Sequence, residues 1–118
     1  MADWVYDQIG RATLIRDLDC FRNKFGKVVA WVSNSNVYST NGRHRGWFEK
    51  GVLYDSQNRA IGFIRGATGS LPSRPGLGGA PGTPSFLARP RRPLFAGTPG
   101  RPGYGGWSEE ELKSYLGG

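Results

Sequence analysis

NGRHRGWFEKGVLYD, residues 41–55, shows one complete strand, the turn before it and the start of the next strand. Steps of 16 residues along the chain align four residues that tolerate a positive φ: Gly10, Gly26, Gly42 and Asn58. Three residues earlier, short polar residues that favour the first position of a type I turn recur: Asp7, Asn23, Ser39 and Asp55. The two columns predict four hairpins, each with a three-residue connection and a bulge.

The positions around these turns repeat as well. An apolar residue followed by an aromatic one precedes each turn, with Arg22 in place of one aromatic: Val5/Tyr6, Phe21/Arg22, Val37/Tyr38 and Leu53/Tyr54. A basic residue follows each turn: Arg11, Lys27, Arg43 and Arg59. Farther on, a mostly small residue precedes a large one: Leu14/Ile15, Ala30/Trp31, Gly46/Trp47 and Gly62/Phe63. This alternation suits short strands that converge on a crowded centre, with the large residues serving packing.

The sequence therefore predicts an all-β head, residues 1–66, built from four 16-residue β-hairpin repeats in a pseudo-fourfold arrangement. One hairpin is too small to be stable alone, but four can share a core, as blades do around an axis. Brief polar connections are expected at residues 17–19, 33–36 and 49–51. A small barrel or meander sheet without a central axis is the alternative architecture.

Residues 67–106, called the tail below, are rich in Gly, Pro and Ser, a composition typical of a disordered linker. The eight prolines nevertheless form four P-x-x-P pairs with a period of nine residues: Pro72/Pro75, Pro81/Pro84, Pro90/Pro93 and Pro99/Pro102. Two residues after each pair comes an apolar side chain, and these are the predicted anchors: Leu77, Phe86, Phe95 and Tyr104. One hypothesis is that the tail wraps the head with one anchor per hairpin. Independent P-x-x-P ligands for SH3- or WW-like partners, or a duplicated linker without fixed form, are the alternatives.

Residues 107–118 predict a short amphipathic α-helix. Ser108 and Glu111 have the spacing of a capping box, and Gly117 is placed to end the helix. Leu112, with Tyr115 and Leu116, lies on one face. A helix this short is not stable on its own. We therefore expect it to dock on the head, on another subunit or on a partner.

The composition limits the functional classes. The net charge of +7 is spread over the head and the tail without a block of consecutive cations. The segment MADWVYDQIGR carries charges where a signal peptide has its apolar core, and no apolar run is long enough to span a bilayer. The single cysteine, Cys20, fits a reducing compartment. We therefore expect a cytoplasmic protein without a membrane partner.

No group of residues points to an identifiable chemistry. His44 is the sole histidine, so neither a His/Cys metal cluster nor a redundant nucleophile arrangement can be assembled. A Cys20–His44 pair is conceivable, but a cysteine beside Phe21 at a strand start is ordinarily a small buried residue. The Gly-rich run at residues 76–82 lacks the Lys-Ser/Thr ending of a phosphate loop. The sequence predicts no catalytic residue, no metal and no cofactor, and thus no enzyme.

Several stretches carry a resemblance to a family: YDQIGRA, NGRHRGWFEKGVLYD, RAIGFIRGA, the Pro-rich tail and WSEEELKSYL. On these residues the sequence resembles the bacterial proteins known as 4-fold beta flower domains. The resemblance covers residues 4–67 and the terminal helix. Asn58, at a turn position that is usually glycine, and Arg22 depart from the pattern. The resemblance implies four petals of β-structure and implies no activity, substrate or catalytic residue.

Two functional hypotheses follow. The first is a non-catalytic structural or protein-interaction module, which binds a protein partner or associates with itself as a homo-oligomer. The alternative is a nucleic-acid-binding module that uses repeated basic and aromatic residues: Arg11, Lys27, Arg43, Arg59, Trp31 and Trp47. A basic residue after a hairpin turn is also a common solvated position, so the first hypothesis is preferred.

Overall fold

The computed structural model describes residues 2–116 and shows a closed antiparallel barrel followed by an extended tail and a short helix. The elements are β1 (Ala2–Tyr6), β2 (Ala12–Asp17), β3 (Cys20–Arg22), β4 (Val28–Ser33), β5 (Asn36–Ser39), β6 (His44–Glu49), β7 (Val52–Tyr54), β8 (Ala60–Ile64) and α1 (Leu112–Tyr115). Each strand pairs with the next, and β1 pairs with β8 through Val5↔Ile64 and Tyr6↔Phe63. The predicted all-β fold of four hairpins with a short C-terminal helix is confirmed.

The turns within the hairpins have the predicted geometry. The residue that closes each turn is left-handed: Gly10 (φ 85°), Gly26 (φ 86°), Gly42 (φ 88°) and Asn58 (φ 59°). Its N–H donates to the carbonyl of the polar residue three positions earlier, over 2.9 to 3.0 Å. The pairing register shifts beside every one of these turns, for example between Val5 and Tyr6, which is the expected bulge.

The connections between hairpins are tighter than the polar links that the sequence predicts. They are two-residue turns at residues 18–19, 34–35 and 50–51, and the strands on both sides stay paired. Leu18, Asn34 and Lys50 take left-handed conformations there, with φ of 56°, 50° and 51°. Because these turns pair neighbouring hairpins, the four repeats form one continuous sheet. The structure thus joins the repeated hairpins of the first predicted architecture to the barrel of the alternative.

The main core of the barrel includes four cross-strand pairs: Val5↔Leu14, Phe21↔Ala30, Val37↔Gly46 and Leu53↔Gly62. Val29, Phe48 and Ile61 pack in the same cluster. In the last three of these pairs a small residue lies opposite a larger one, whereas the first pair joins two aliphatic side chains. Leu112 and Leu116 of the C-terminal segment join the same core. A Cβ added to Gly62 would lie 2.9 Å from Leu112 Cδ2, so a glycine is needed where the helix packs on the barrel.

The helix begins later than predicted, and the capping box is wrong. Residues 106–108 run as an extended segment along β8, with Ala60 N–H donating to the Gly106 carbonyl and Ser108 N–H to the Ala60 carbonyl, each over 2.7 Å. The Ser108 hydroxyl donates to the buried Asp55 carboxylate, and its Oγ accepts from Glu110 N–H over 3.0 Å, four residues before the helix begins at Leu112. Glu111 is the N-cap and makes no side-chain capping bond. Gly117, the predicted stop, lies outside the described residues.

The helix docks on the head, as expected first among the three possibilities. Tyr115 Oη donates to the Arg45 carbonyl and accepts from Ser56 N–H, and the Arg45 guanidinium lies 4.3 Å from the centre of the Tyr115 ring. Within residues 2–116, no helix is long and apolar enough to cross a membrane. The division into a head, a tail and a helical segment as separate units stays a prediction.

Candidate interaction surfaces

The tail meets the four hairpin turns in chain order. Tail amides nine residues apart donate to the carbonyls of the left-handed turn residues: Gly78 to Gly10, Leu87 to Gly26, Ala96 to Gly42 and Gly105 to Asn58. The four N···O distances are 2.9, 3.1, 2.9 and 3.2 Å. The nine-residue period of the tail therefore runs in step with the 16-residue period of the head.

The turn glycines leave the space that the tail backbone fills. A Cβ on Gly42 would lie 2.1 Å from the Leu94 carbonyl oxygen, and equivalent contacts occur at the first two turns. The fourth turn contacts the tail in a different way, because its left-handed residue, Asn58, carries a side chain. Its Nδ2 donates to the Pro102 carbonyl over 2.7 Å, and its Oδ1 accepts from Arg101 Nε over 2.9 Å. The asparagine thus replaces a close backbone contact with side-chain hydrogen bonds.

Each predicted anchor lies beside the residue that precedes a hairpin turn, called the flank residue below: Tyr6, Arg22, Tyr38 or Tyr54. Leu77 packs on the cluster that contains Tyr6. The Phe95 ring stacks on Tyr38 with centroids 4.0 Å apart and planes 6° from parallel. Tyr104 meets Tyr54 edge to face, with centroids 6.2 Å apart. Phe95 and Tyr104 therefore contact their flank residues directly, in different geometries, and Leu77 packs on the cluster around its own.

Arg22 fills the second flank position in place of an aromatic residue. Its guanidinium lies 4.5 Å from the centre of the Phe86 ring, so a planar cation takes the place of the stacking ring. Only 3% of Arg22 is exposed, and its charge is compensated by Asp17 Oδ2 at 2.9 Å from Nε. Nη1 donates to the carbonyls of Gly26 and Leu87, each over 2.7 Å, and so ties the turn to the tail.

The two tryptophans of the predicted interaction surface lie under arginines of the tail. Trp31 is 1% exposed and Trp47 is 5% exposed. The Arg92 guanidinium lies 5.7 Å from the Trp31 ring centre, and that of Arg101 lies 5.4 Å from the Trp47 ring centre. A nucleobase could stack on either indole only after the tail had moved.

Three of the five tail arginines also pair with carboxylates of the head: Arg89, Arg92 and Arg101. Arg89 bridges Asp17 and Asp19, and Arg101 Nη1 lies 3.0 Å from Glu49 Oε1. Partial burial acts to raise the pKa of Asp19, but the hydrogen bond and charge of Arg89 hold that pKa below its ordinary value. Much of the basic charge of the tail is therefore directed at the head.

The four basic residues that follow the turns lie on four different hairpins. Arg11, Lys27 and Arg43 are exposed, and Arg59 is half-buried beside Gly105. Arg11 Nε pairs with Asp7 Oδ2 at 3.0 Å, within its own turn. The structure distributes these cations around one end of the barrel and does not gather them into a single cleft.

The tips of the hairpin turns differ in a way that the sequence reasoning missed. The equivalent tip positions are Ile9, Phe25, Asn41 and Gln57. Ile9 is 61% exposed and Phe25 is 68% exposed, so two neighbouring tips present large apolar side chains to solvent. A groove of about 510 Å³ lies beside Ile9, between the first hairpin and residues 110–113. The signal was an apolar residue at a turn position that is polar in the other two repeats.

Cys20 and His44 lie on different strands that are not paired with each other. Cys20 lies on β3, is fully buried with Val28 and Trp31, and has a thiol whose pKa is raised by burial. His44 lies on β6, where Nε2 contacts Asn36 Oδ1 at 3.0 Å, and burial lowers its pKa. Within residues 2–116, no group of three or more His, Cys, Asp or Glu side chains is arranged to hold a metal ion.

Comparison with known proteins gives one match. A family model described as 4-fold beta flower protein matches residues 3–116, which covers the barrel, the tail and the terminal helix together. No curated protein and no solved structure matches the chain.

Proposed function

Because the chain belongs to the 4-fold beta flower protein family, and because its turn tips are unequal, we propose that it is a non-catalytic protein-interaction module. The observation that carries the proposal is the exposure of Ile9 and Phe25 at neighbouring tips of one end of the barrel. Large apolar side chains that cluster on a surface mark protein contact sites more often than scattered ones do. The partner is another protein or a second copy of this chain.

The groove beside Ile9 defines the chemistry of the contact. Its walls carry Asp7, Glu110 and Glu111 together with Arg11 and Lys113. Apolar anchors at the centre of an interface with charges of both signs at the rim are typical of specific protein–protein contacts. We expect the partner to insert an apolar side chain between these charged walls.

The non-catalytic part of the proposal rests on the two side chains best suited to chemistry. Cys20 is buried against Trp31 and has a raised thiol pKa, which disfavours the nucleophilic thiolate. His44 is packed between Tyr38 and Trp47. A buried thiol also suits the cytoplasm, which we propose as the compartment.

Site-specific photo-crosslinking in the native host tests the proposal. We would place p-benzoylphenylalanine at Phe25 and, as a matched control, at Gln57, which occupies the equivalent tip of the fourth hairpin. We expect a discrete adduct from position 25, its loss in the Ile9→Ser background, and no adduct from position 57. Equal adducts from both positions, or an adduct that is insensitive to Ile9→Ser, would contradict the proposal.

A nucleic-acid-binding role is the second candidate, favoured by the exposure of Arg11, Lys27 and Arg43 at equivalent positions. Against it, Trp31 and Trp47 are covered and three tail arginines face carboxylates. Labelled single-stranded DNA and RNA should be titrated at two salt concentrations. Binding with a steep salt dependence that Arg43→Ala weakens would favour this role, and weak binding without that dependence would exclude it.

A further inference from the structure

We propose that the flanks of the barrel beside Arg22, Tyr38 and Tyr54 are binding sites for a Pro-x-x-Pro-x-aromatic segment, and that a proline-rich segment of a partner protein can take the place of one tail repeat. The tail is then the resident ligand of these three sites, and its first repeat places Leu77 at the corresponding position. This inference goes beyond the contact proposed at Ile9 and Phe25, because it concerns the side of the barrel that the tail covers.

The third repeat defines what such a site recognises. The Gly42 carbonyl accepts the amide of the residue after the aromatic anchor, Ala96, over 2.9 Å. Phe95 stacks on Tyr38, and the missing side chain at Gly42 admits the Leu94 carbonyl. A ligand must therefore supply an aromatic ring, an N–H directly after it and a carbonyl directly before it.

The prolines fit the same site. The second proline of each pair is half-buried in the first three repeats: Pro75, Pro84 and Pro93. Proline fixes φ near the extended conformation and lowers the entropy that a free segment loses when it binds. It also removes N–H groups that would need partners. The spacing from the second proline to the anchor side chain, two residues in every repeat, sets the register in which a foreign segment could bind.

Apart from the contacts of Phe95, the third repeat makes few hydrogen bonds and ion pairs with the head, so it can open while the others stay bound. The backbone contact of the third repeat with its turn is the bond from Ala96 to Gly42, and one hydrogen bond contributes little net stability. Arg92 adds a charge contact to Asp19 at 3.7 Å, which is near the limit for an ion pair. Segments held this weakly open locally without global unfolding.

A competing segment has to displace a repeat that is covalently attached. Attachment gives a short flexible segment an effective concentration in the millimolar range. A foreign segment of equal intrinsic affinity should therefore bind the intact protein poorly, and should bind well once the resident repeat has lost its anchor. This difference makes the inference testable on the full-length chain.

The probe is a synthetic peptide that reproduces residues 90–97, PRRPLFAG. It would be titrated into isotope-labelled full-length wild type and the full-length Phe95→Ala variant, with the Tyr38 ring and Gly42 backbone signals as reporters. We expect the variant to bind the probe about tenfold more tightly than wild type does. Leu94→Ala is the matched control, because Leu94 is 95% exposed and its loss leaves the anchor in place. The Leu94→Ala variant should bind the probe as weakly as wild type does.

A second peptide, with alanine in place of its phenylalanine, should not shift Tyr38 in any of these proteins. If Phe95→Ala does not fold, Ala96→Pro serves instead, since it removes the amide that donates to Gly42 and leaves the head unchanged. A folded variant that shows no probe-dependent shift up to about 5 mM, well above the concentration at which a millimolar complex forms, overturns the inference. Equal shifts with the alanine peptide overturn it as well. Neither result bears on the crosslinking test at Phe25, so the two proposals fail independently.

Discussion

Phe95 in the tail and Tyr38 on β5 stack face to face, with ring centroids 4.0 Å apart and planes 6° from parallel. The same Phe95 ring covers the cluster of Cys20, Val28 and Trp31. One side chain of a segment with no regular secondary structure thus completes a part of the core.

Replacing Phe95 by alanine should lower the free energy of unfolding by about 1–3 kcal/mol, from lost aromatic contact and lost apolar burial. The neighbouring Leu94 is 95% exposed, so Leu94→Ala should change the free energy of unfolding by less than about 0.5 kcal/mol. Urea denaturation of both variants measures the difference. Equal effects would mean that Phe95 contributes no more than a solvent-exposed residue, and that the stacked contact is not populated in solution.

The turn glycines allow backbone strain to be separated from contact with the tail. Gly42 has φ 88° and Gly66 has φ 79°, but a Cβ on Gly42 would meet the Leu94 carbonyl at 2.1 Å, whereas a Cβ on Gly66 would meet nothing within 4 Å. Gly66→Ala should lower the free energy of unfolding by about 1–2 kcal/mol, because alanine is strained in a left-handed conformation. Gly42→Ala should lower the free energy of unfolding by at least about 1 kcal/mol more than Gly66→Ala does, because the tail must also move.

Thermal or urea denaturation of the two variants gives this comparison directly. The Gly42→Ala variant should also lose the Phe95–Tyr38 contact, seen as a change in the Tyr38 ring signals that Gly66→Ala does not produce. The same cost in both variants would show that the Leu94 carbonyl does not occupy the space in front of Gly42.

The turns within the hairpins could be predicted because their signals are local. A short polar residue followed three positions later by Gly or Asn defines the turn at Asp7 and Gly10 without knowledge of anything distant. The turns between hairpins carry a less regular signal, since Asn34 and Gly51 favour a positive φ but the turn at Leu18 has no such residue. Leu18 and Lys50 adopt left-handed conformations in two-residue turns between paired strands, although neither residue type favours such a conformation.

Other features depend on partners far along the chain. Ser108 has the position of a helix cap, and nothing local in the sequence shows that its hydroxyl donates to Asp55. Arg22 looks like a defect in an aromatic column until Asp17, Phe86 and the Leu87 carbonyl are seen around it. Local propensity cannot reveal such compensation, because it is supplied by residues from other repeats. Likewise, Ile9 and Phe25 are exposed because neither the tail nor the helix covers them, which the local sequence does not reveal.

The partly buried environment of His44 predicts that the stability of the protein depends on pH. Burial lowers its pKa below the ordinary 6.5, so the folded state favours the neutral imidazole. The unfolded state then binds a proton first as the pH falls through 6.5, and the free energy of unfolding should decrease from about pH 7 to about pH 5. His44→Gln, which can still bond to Asn36, should flatten this part of the profile.

Urea denaturation at several pH values in that interval checks the prediction, and NMR titration of the His44 ring gives the pKa of the folded state. A folded-state pKa above 6.5, or identical pH profiles for wild type and His44→Gln, would contradict it.

Hydrogen exchange across the tail should show a nine-residue periodicity. The amides that donate to turn carbonyls should exchange at least about tenfold more slowly than in the urea-unfolded chain: Gly78, Leu87, Ala96 and Gly105. Tail amides for which no hydrogen bond is described within residues 2–116, such as those of Ala88 and Gly97, should exchange near the unfolded rate.

The variants decide how the protected amides are coupled. If repeats open one at a time, Phe95→Ala should accelerate exchange at Ala96 and leave Leu87 protected, because the Leu87 carbonyl is also held by Arg22. Equal acceleration at all four amides would mean that the tail detaches as one unit, and a partner segment would then have to compete with all four contacts at once. Unfolded-chain rates at all four amides in wild type would show that the tail does not occupy the barrel in solution.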